Sequence, residues 1–213
     1  MGARTVSDTT IRVAMLADDD VAGGAHLFAR AFDADGMARL ITPDAVERRS
    51  FLLRGGRKQI ERAMPYRHVF GAYEADALRG IAVWLPPGVT VRSSEAPPLR
   101  SLPRLIRVAF AQGPPLVRYL RARGRRLSDM HATGGWHLAF LATHPDHQRR
   151  GIARRLLEHV LARADTDGVP AWLETSDPVN PPIYERFGFV TVGIVPGHGT
   201  LPTFWFMQRT PQA

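Results

Sequence analysis

The chain has 213 residues, a formal net charge of +8 at pH 7 and no cysteine. This length can bury a real core, most simply as one domain, and 45% hydrophobic with 23% charged residues is the balance of a globular protein. The lack of cysteine excludes disulfides, thiolate metal sites and a cysteinyl intermediate. No apolar run approaches the roughly 20 residues needed to span a bilayer. Met1 to Asp8 has no apolar signal core, so a cytoplasmic location without membrane attachment is expected. The basic balance invites a nucleic-acid reading. Of the 28 Lys and Arg residues, however, only Lys58 is lysine, and the arginines are scattered through helical patterns as coding bias alone would leave them.

Alternation over Thr10 to Met15 predicts a first strand. Asp18 to Asp20 offer N-cap oxygens to a helix carrying Ala25, Leu27, Phe28, Ala31 and Phe32. A second helical pattern runs from Ala45 to Ala63, where the Gly55-Gly56 pair can be read as a loop joining two short helices instead of one. His68 to Glu74 and Ala77 to Leu85 form a strand pair turning near Ala75 and Asp76.

The segment from about Val89 to Gly135 reads as a helical insertion. Leu99 to Gln112 carries the apolar stripe Leu102, Leu105, Ile106 and Ala109. After Pro114-Pro115, a basic helix from about Leu116 to Met130 holds Arg118, Arg121, Arg123, Arg125 and Arg126. It is readable as a solvated helix, a nucleic-acid or membrane surface, or a lid.

Trp136 to Ala142 is apolar on both alternating faces, as in a central strand covered on both sides, and His137 is its only titratable residue. The helix that follows stacks Ile152, Leu156, Leu157, Val160, Leu161 and Ala164 on one stripe. Ala171 to Thr175 is a further strand, and Asn180 with Pro181-Pro182 starts a short helix that Gly188 ends. Val190 to Val195 and Thr203 to Arg209 complete a mixed α/β sheet.

Chemistry concentrates at the strand-to-helix junction Leu141 to Ala153. A helix start carries unpartnered N–H groups and a partial positive charge, so it can hold an anion. Arg149, Arg150, Arg154 and Arg155 crowd that turn, where cations are otherwise disfavoured. Gly151 and Ala153 leave room for close approach of a ligand. A solvated arginine cluster is the alternative reading. Of the eight histidines only His144 and His147 form a close pair, and no third ligand is suggested beside them, so no metal is expected.

The order Gln148-Arg149-Arg150-Gly151-Ile152-Ala153 resembles the Q/R-x-x-G-x-G/A signature of the GNAT superfamily of acetyl-CoA-dependent N-acetyltransferases. Leu173-Glu174-Thr175-Ser176 followed by Asn180, Tyr184, Gly188 and Phe189 looks like its second signature, a strand followed by N-x-x-x-Y-x-x-x-G-F. The run Leu138 to Gly151 with Asp167 to Ala171 is especially similar to the puromycin N-acetyltransferase branch. The resemblance implies a single domain over 1–213 with a GNAT-like, mostly antiparallel sheet flanked by helices and the insertion at about 89–135 before the central strand.

It also implies roles. Backbone of Phe140, Leu141, Ala142 and Thr143 would pair with the pantetheine arm of acetyl-CoA. Gln148, Arg149, Arg150, Gly151, Ile152, Ala153 and Arg154 would cradle its pyrophosphate. Asn180 would bond the cofactor near the thioester, and the Tyr184 hydroxyl would protonate the departing thiolate. His137 is the candidate base.

Other readings stay open: His137 as a buried, satisfied histidine, Asn180 as a plain cap, Tyr184 as core, and Glu174 and Asp177 as cation recognisers or strand-end residues. The expected acceptor is a small-molecule amine, an aminonucleoside or antibiotic among them. Protein N-terminal or lysine acetylation and a non-catalytic nucleic-acid-binding role are the alternatives. Nothing in the sequence sets the oligomeric state, and a homodimer stays open.

Overall fold

The structure is a computed structural model that describes residues 11–89 and 97–212. Met1 to Asp8, Thr10 of the expected first strand and residues 90–96 of the expected insertion lie outside the described residues. Seven strands form one sheet in the order β1-β2-β3-β4-β5-β7-β6: β1 (Arg12–Met15), β2 (Val69–Glu74), β3 (Ala77–Leu85), β4 (Trp136–Thr143), β5 (Ala171–Thr175), β6 (Val190–Val195) and β7 (Phe204–Arg209). Neighbours are antiparallel except β4 and β5, which run parallel. The helices are α1 (Val21–Ala31), α2 (Gly36–Ile41), α3 (Ala45–Ala63), α4 (Leu102–Ala132), α5 (Ile152–Asp167) and α6 (Pro181–Glu185). Among the described residues no helix is long and apolar enough to cross a membrane.

Strand alternation divides the core between the two sheet faces. Ala82, Trp84, Trp136, Leu138, Ala171 and Leu173 pack under the α5 stripe, in which Ile152, Leu156, Leu157, Val160, Leu161 and Ala164 are all buried as the periodicity predicts. Ile81, Val83 and Leu85 pack on the opposite face with Leu27 of α1 and Ile60 of α3. The same face, farther along at Trp172, Phe204 and Phe206, is covered by Leu40 of α2 and by Tyr119 and Met130 of α4.

Four local expectations are corrected by packing. Gly55-Gly56 is no loop: α3 runs unbroken, and a Cβ on Gly56 would stand 2.7 Å from the Phe28 ring, so glycine is there to let α1 and α3 approach. Asp20 precedes α1 without a side-chain cap bond and instead accepts from the Tyr73 hydroxyl at 2.7 Å. α2 is an element the pattern did not announce; Asp35 caps it by accepting from the Ala38 amide at 2.9 Å. In α4 the stripe Leu102, Leu105, Ile106 and Ala109 is not core, since Leu102 and Ile106 are exposed. α4 also kinks at Gly113 (φ 50, ψ −136) just before Pro114-Pro115, in two helical halves as the proline pair requires.

Two arginines fasten this frame. Arg48 is buried and donates to the carbonyls of Asp33 and Pro43, which pins the α1–α2–α3 corner. Arg209 grips both oxygens of Asp165 at 2.6 and 2.7 Å and donates to the Phe187 carbonyl at 2.9 Å, tying β7 to α5 and to the turn after α6. The Arg209 hydrogen bonds hold the Asp165 carboxyl below the usual aspartate range. A depressed pKa gives stability that is present above the unfolded value, roughly pH 4, and lost as pH falls through the folded one. Asp165→Asn should cost about 3 kcal/mol because the buried guanidinium loses its partner. Thermal unfolding of both proteins against pH checks this: the gap should be constant above roughly pH 5 and close as pH falls below roughly 4.

Candidate functional site

Two parallel strands organise the site. β4 and β5 share only three register pairs, Trp136 with Ala171, His137 with Trp172 and Leu138 with Leu173, and no pairing continues past Leu138. On its other side β4 stays paired with β3 as far as Thr143. Among the described residues, Phe140, Leu141, Ala142 and Thr143 therefore present an unpaired backbone edge inside a V whose apex lies at Leu138 and Leu173. Ala139 is skipped in the pairing between Val83–Phe140 and Trp84–Leu138, so a bulge falls where the strands part. The bulge also switches faces: Leu138 packs under α5, whereas Phe140 packs on α1 with its ring 4.9 Å from that of Phe28.

The mouth of the V runs into the α5 terminus. A 3-10 turn over Pro145–His147 leads to an extended Gln148, a left-handed Arg149 (φ 60) and a left-handed Gly151 (φ 78) at the α5 N-cap. Left-handed backbone costs a residue with a Cβ, so Arg149 is held there by its surroundings. A Cβ on Gly151 would meet nothing within 4 Å, so the glycine answers a conformational demand, and the space above it is open. The amides of Ile152, Ala153 and Arg154 open a helix first turn, where intrahelical acceptors are lacking. Ile152 points its side chain into the core and is 2% exposed, so it contributes backbone only.

Arg150 and Arg154 of this turn are tethered. Arg150 reaches Glu74 at 3.4 Å, His147 lies 3.2 Å from the same carboxylate, and Arg154 pairs with Glu158 at 2.7 Å. His144 takes an Arg30 contact at 2.6 Å. Among the described residues no three His, Cys, Asp or Glu side chains gather as a metal cluster.

On the α5 face, Asn180 stands before α6 but makes no side-chain cap bond; its amide donates to Thr175 Oγ1 at 2.8 Å and fixes the loop to the end of β5. The Asn180 carbonyl accepts from the Tyr184 amide. Tyr184 packs edge-on to Phe189 with ring centroids 5.9 Å apart, and burial pushes its hydroxyl up to about 12. A phenol so raised is protonated throughout the neutral range.

On the opposite face, His137 lies flat on Trp172, rings 3.6 Å apart at 2°, with His131 edge-on to both. Burial, with His131 adding to it, pulls the His137 pKa down to about 3, and its Nδ1 is buried without a partner. A ring of that pKa takes up a proton poorly, which weighs against the expected base role on physical grounds. The alternation of β5 puts Glu174 on this same face, one residue past the last β4–β5 pair. Arg123 of α4 holds it by one oxygen at 2.6 Å.

Arg123 is the residue sequence reasoning missed. It belongs to the inward stripe Leu116, Tyr119, Arg123, Leu127 and Met130 of α4, while Arg118, Arg121, Arg125 and Arg126 are exposed. That spacing was the available signal. The structure thus brings the free β4 edge and the α5 terminus into one line and places Asn180 and Tyr184 on one face of it. His137 lies on the other.

Residues 118–191 match the sequence model of a family described as the acetyltransferase (GNAT) domain. An uncharacterised N-acetyltransferase of Schizosaccharomyces pombe is 28% identical over 135 residues, which cover 59% of this chain and 53% of the relative, so the chain spans about half the length of that curated relative. Among solved structures, a histone acetyltransferase HPA2 and related acetyltransferase of Corynebacterium glutamicum has a TM-score of 0.64 at 19% identity, over 96% of this chain and 98% of the other. The PaiA N-acetyltransferase of Thermoplasma acidophilum, solved in complex with coenzyme A, has a TM-score of 0.55 at 11% identity, over 94% and 99%. Residues 118–191 are thus similar in sequence to the acetyltransferase (GNAT) domain, and nearly the whole chain shares the fold of the two solved acetyltransferases.

Proposed function

We propose that the chain is an acetyl-CoA-dependent N-acetyltransferase that moves an acetyl group to the amine of a small molecule while donor and acceptor are bound together, all within one domain over 1–213. The observation that carries this reading is the unpaired β4 edge that ends at the α5 terminus. An extended arm bearing amides matches such an edge as an added strand would, and a diphosphate matches the first-turn amides and the left-handed Arg149 and Gly151. Acetyl-CoA, the co-substrate, supplies the activated acetyl group. Its pyrophosphate would rest on the backbone of Arg149 to Arg154, its arm along Phe140 to Thr143, and its thioester at the apex. Gln148 closes the start of that cradle, and Asn180 braces the loop beside the thioester.

The residues of the chain then divide the work. The amine nitrogen attacks the thioester carbonyl carbon, the new N–C bond forms, and the C–S bond breaks. The Tyr184 hydroxyl gives its proton to the leaving sulfur and recovers one from solvent. The nitrogen sheds one proton as the amide forms, so amine and thioester become amide and thiol. With no cysteine in the chain, a cysteinyl intermediate cannot form, in keeping with direct passage of the acetyl group to nitrogen. Similarity of the Leu138 to Gly151 run to the puromycin N-acetyltransferase branch makes aminonucleosides and antibiotic amines the first acceptors to try.

The test is acetyl-CoA consumption against a panel of primary amines that includes puromycin; amine-dependent thiol release is expected, and a panel with none counts against the reading. Tyr184→Phe should lower kcat on the order of a hundredfold, the usual contribution of a general acid, and leave acetyl-CoA binding within about threefold by calorimetry. A kcat equal to wild type would remove Tyr184 from the acid role. For His137, ring resonances followed by NMR should stay flat between pH 5 and 8, as a pKa of about 3 requires; titration near 6.5 would return it to the list of bases.

A further inference from the structure

The positive charge of the chain is concentrated in one segment. Residues 97–128 hold eight arginines and no Asp or Glu. The 28 Lys and Arg of the chain less these eight leave 20, which its 20 Asp and Glu cancel, so the whole net charge of +8 belongs to this segment. It comprises the turn before α4 and α4 almost to its end. Arginines occur all along the chain, but their excess over acids does not, and neither the α5 terminus nor Tyr184 accounts for it.

The same segment carries an apolar row on its outside. In the first half of α4, Val108 packs against the core cluster around Trp172 and Phe206. Ile106 and Phe110 each stand two residues from it, about 200° round the helix. They therefore point outward, and with Leu102 and with Leu99 of the preceding turn they make a row of exposed apolar side chains. Leu99 is 87% and Phe110 84% exposed, so among the described residues nothing covers the row. Arg100 and Arg104 clasp this half to the body, through Glu47 at 2.5 Å and the Leu40 carbonyl at 3.1 Å. Arg107 beside the row is exposed, as are Arg118, Arg121 and Arg125 in the second half, and among the described residues no carboxylate pairs with any of the four.

Charge and apolarity together select the occupant. A second copy of the chain would set the same arginines against one another, with no acid in the segment to answer them. A nucleic acid would answer the arginines but leave the aliphatic row unused, because bases are bound by stacking and hydrogen bonds. An anionic bilayer answers both, with phosphates for the guanidinium groups and an acyl boundary for Leu, Ile and Phe. We propose that α4 is a membrane-surface element: Leu99, Leu102, Ile106 and Phe110 enter the headgroup–acyl boundary of an anionic phospholipid bilayer, while Arg107, Arg118, Arg121 and Arg125 hold headgroup phosphates. The chain docks on the surface without crossing it, and among the described residues no helix is long and apolar enough to cross. The expectation of no membrane attachment rested on leader and spanning segments, and a surface helix needs neither. This docking does not depend on the acetyltransferase reading.

Co-sedimentation of the full chain with phosphatidylcholine vesicles, with and without about 30% phosphatidylglycerol, tests this. Wild type should bind the anionic vesicles and not the neutral ones, and should lose about tenfold in affinity between about 0.1 and 0.5 M salt. Ile106→Ser combined with Phe110→Ser keeps every charge and should weaken binding about tenfold or more. Arg118→Gln, Arg121→Gln and Arg125→Gln together keep the apolar row and should weaken it by a similar factor. Both variants replace exposed side chains, so their thermal unfolding should match wild type; if one unfolds early, the other carries the test. Absence of binding to anionic vesicles, equal binding to neutral ones, or binding unchanged in I106S/F110S overturns the proposal. So does a wild-type dimer, seen by light scattering, that I106S/F110S makes monomeric, or tighter binding to a single-stranded RNA than to the anionic vesicles.

Discussion

Everything in this molecule that bears on chemistry depends on the parting of β4 from β5 after three shared residue pairs. Parallel strands ordinarily continue their ladder, and unsatisfied backbone groups inside a protein are costly. Here the ladder stops at Leu138 and Leu173, the bulge at Ala139 turns the β4 backbone, and the strand runs on to Thr143 with only β3 beside it. This edge lies at the centre of a seven-stranded sheet, not at its margin, and among the described residues no strand pairs with it. Directly downstream lies a helix start with two left-handed residues, Arg149 and Gly151, and the proposed acetyl-CoA site joins the two features.

The split sheet also separates tasks by face. Residues 171, 173 and 175 of β5 look toward α5, where Asn180 ties the following loop to Thr175 and sets Tyr184 near the apex. Residues 172 and 174 look toward α4, where Trp172 stacks on His137 and Arg123 holds Glu174. Strand alternation thus turns successive β5 residues to opposite faces, Leu173 toward α5 and Trp172 toward α4. The helical insertion matters in the same terms: its second half covers Trp172 and Phe206 and turns Arg123 inward to Glu174.

Legibility in the sequence followed the range of the interactions. The α5 stripe, the Ala75–Asp76 turn and the junction at Gln148 to Ala153 are local, set by periodicity, left-handed backbone and spacing, and each stands where the pattern predicted. Gly56 was misleading because its reason is Phe28, a ring brought in by another helix. For His137 the sequence left base and buried histidine both open, and only the register with Trp172 shows the ring stacked on the indole with its pKa lowered by burial. Arg123 lay between these cases: its phase with Tyr119 and Met130 marks it as inward, yet its partner Glu174 is fifty-one positions away. Propensity likewise could not announce the V, because register between β4 and β5 is a property of the assembled sheet.

The account turns on the free β4 edge and the α5 terminus forming one continuous donor site. Residue-resolved amide chemical-shift mapping of the labelled protein during titration with coenzyme A tests that directly. The account predicts that the largest saturable shifts fall on the amides of residues 140–143 and 149–154, with smaller ones at Thr175 and Asn180. Saturable shifts confined to other surfaces, or none at millimolar coenzyme A, would contradict it.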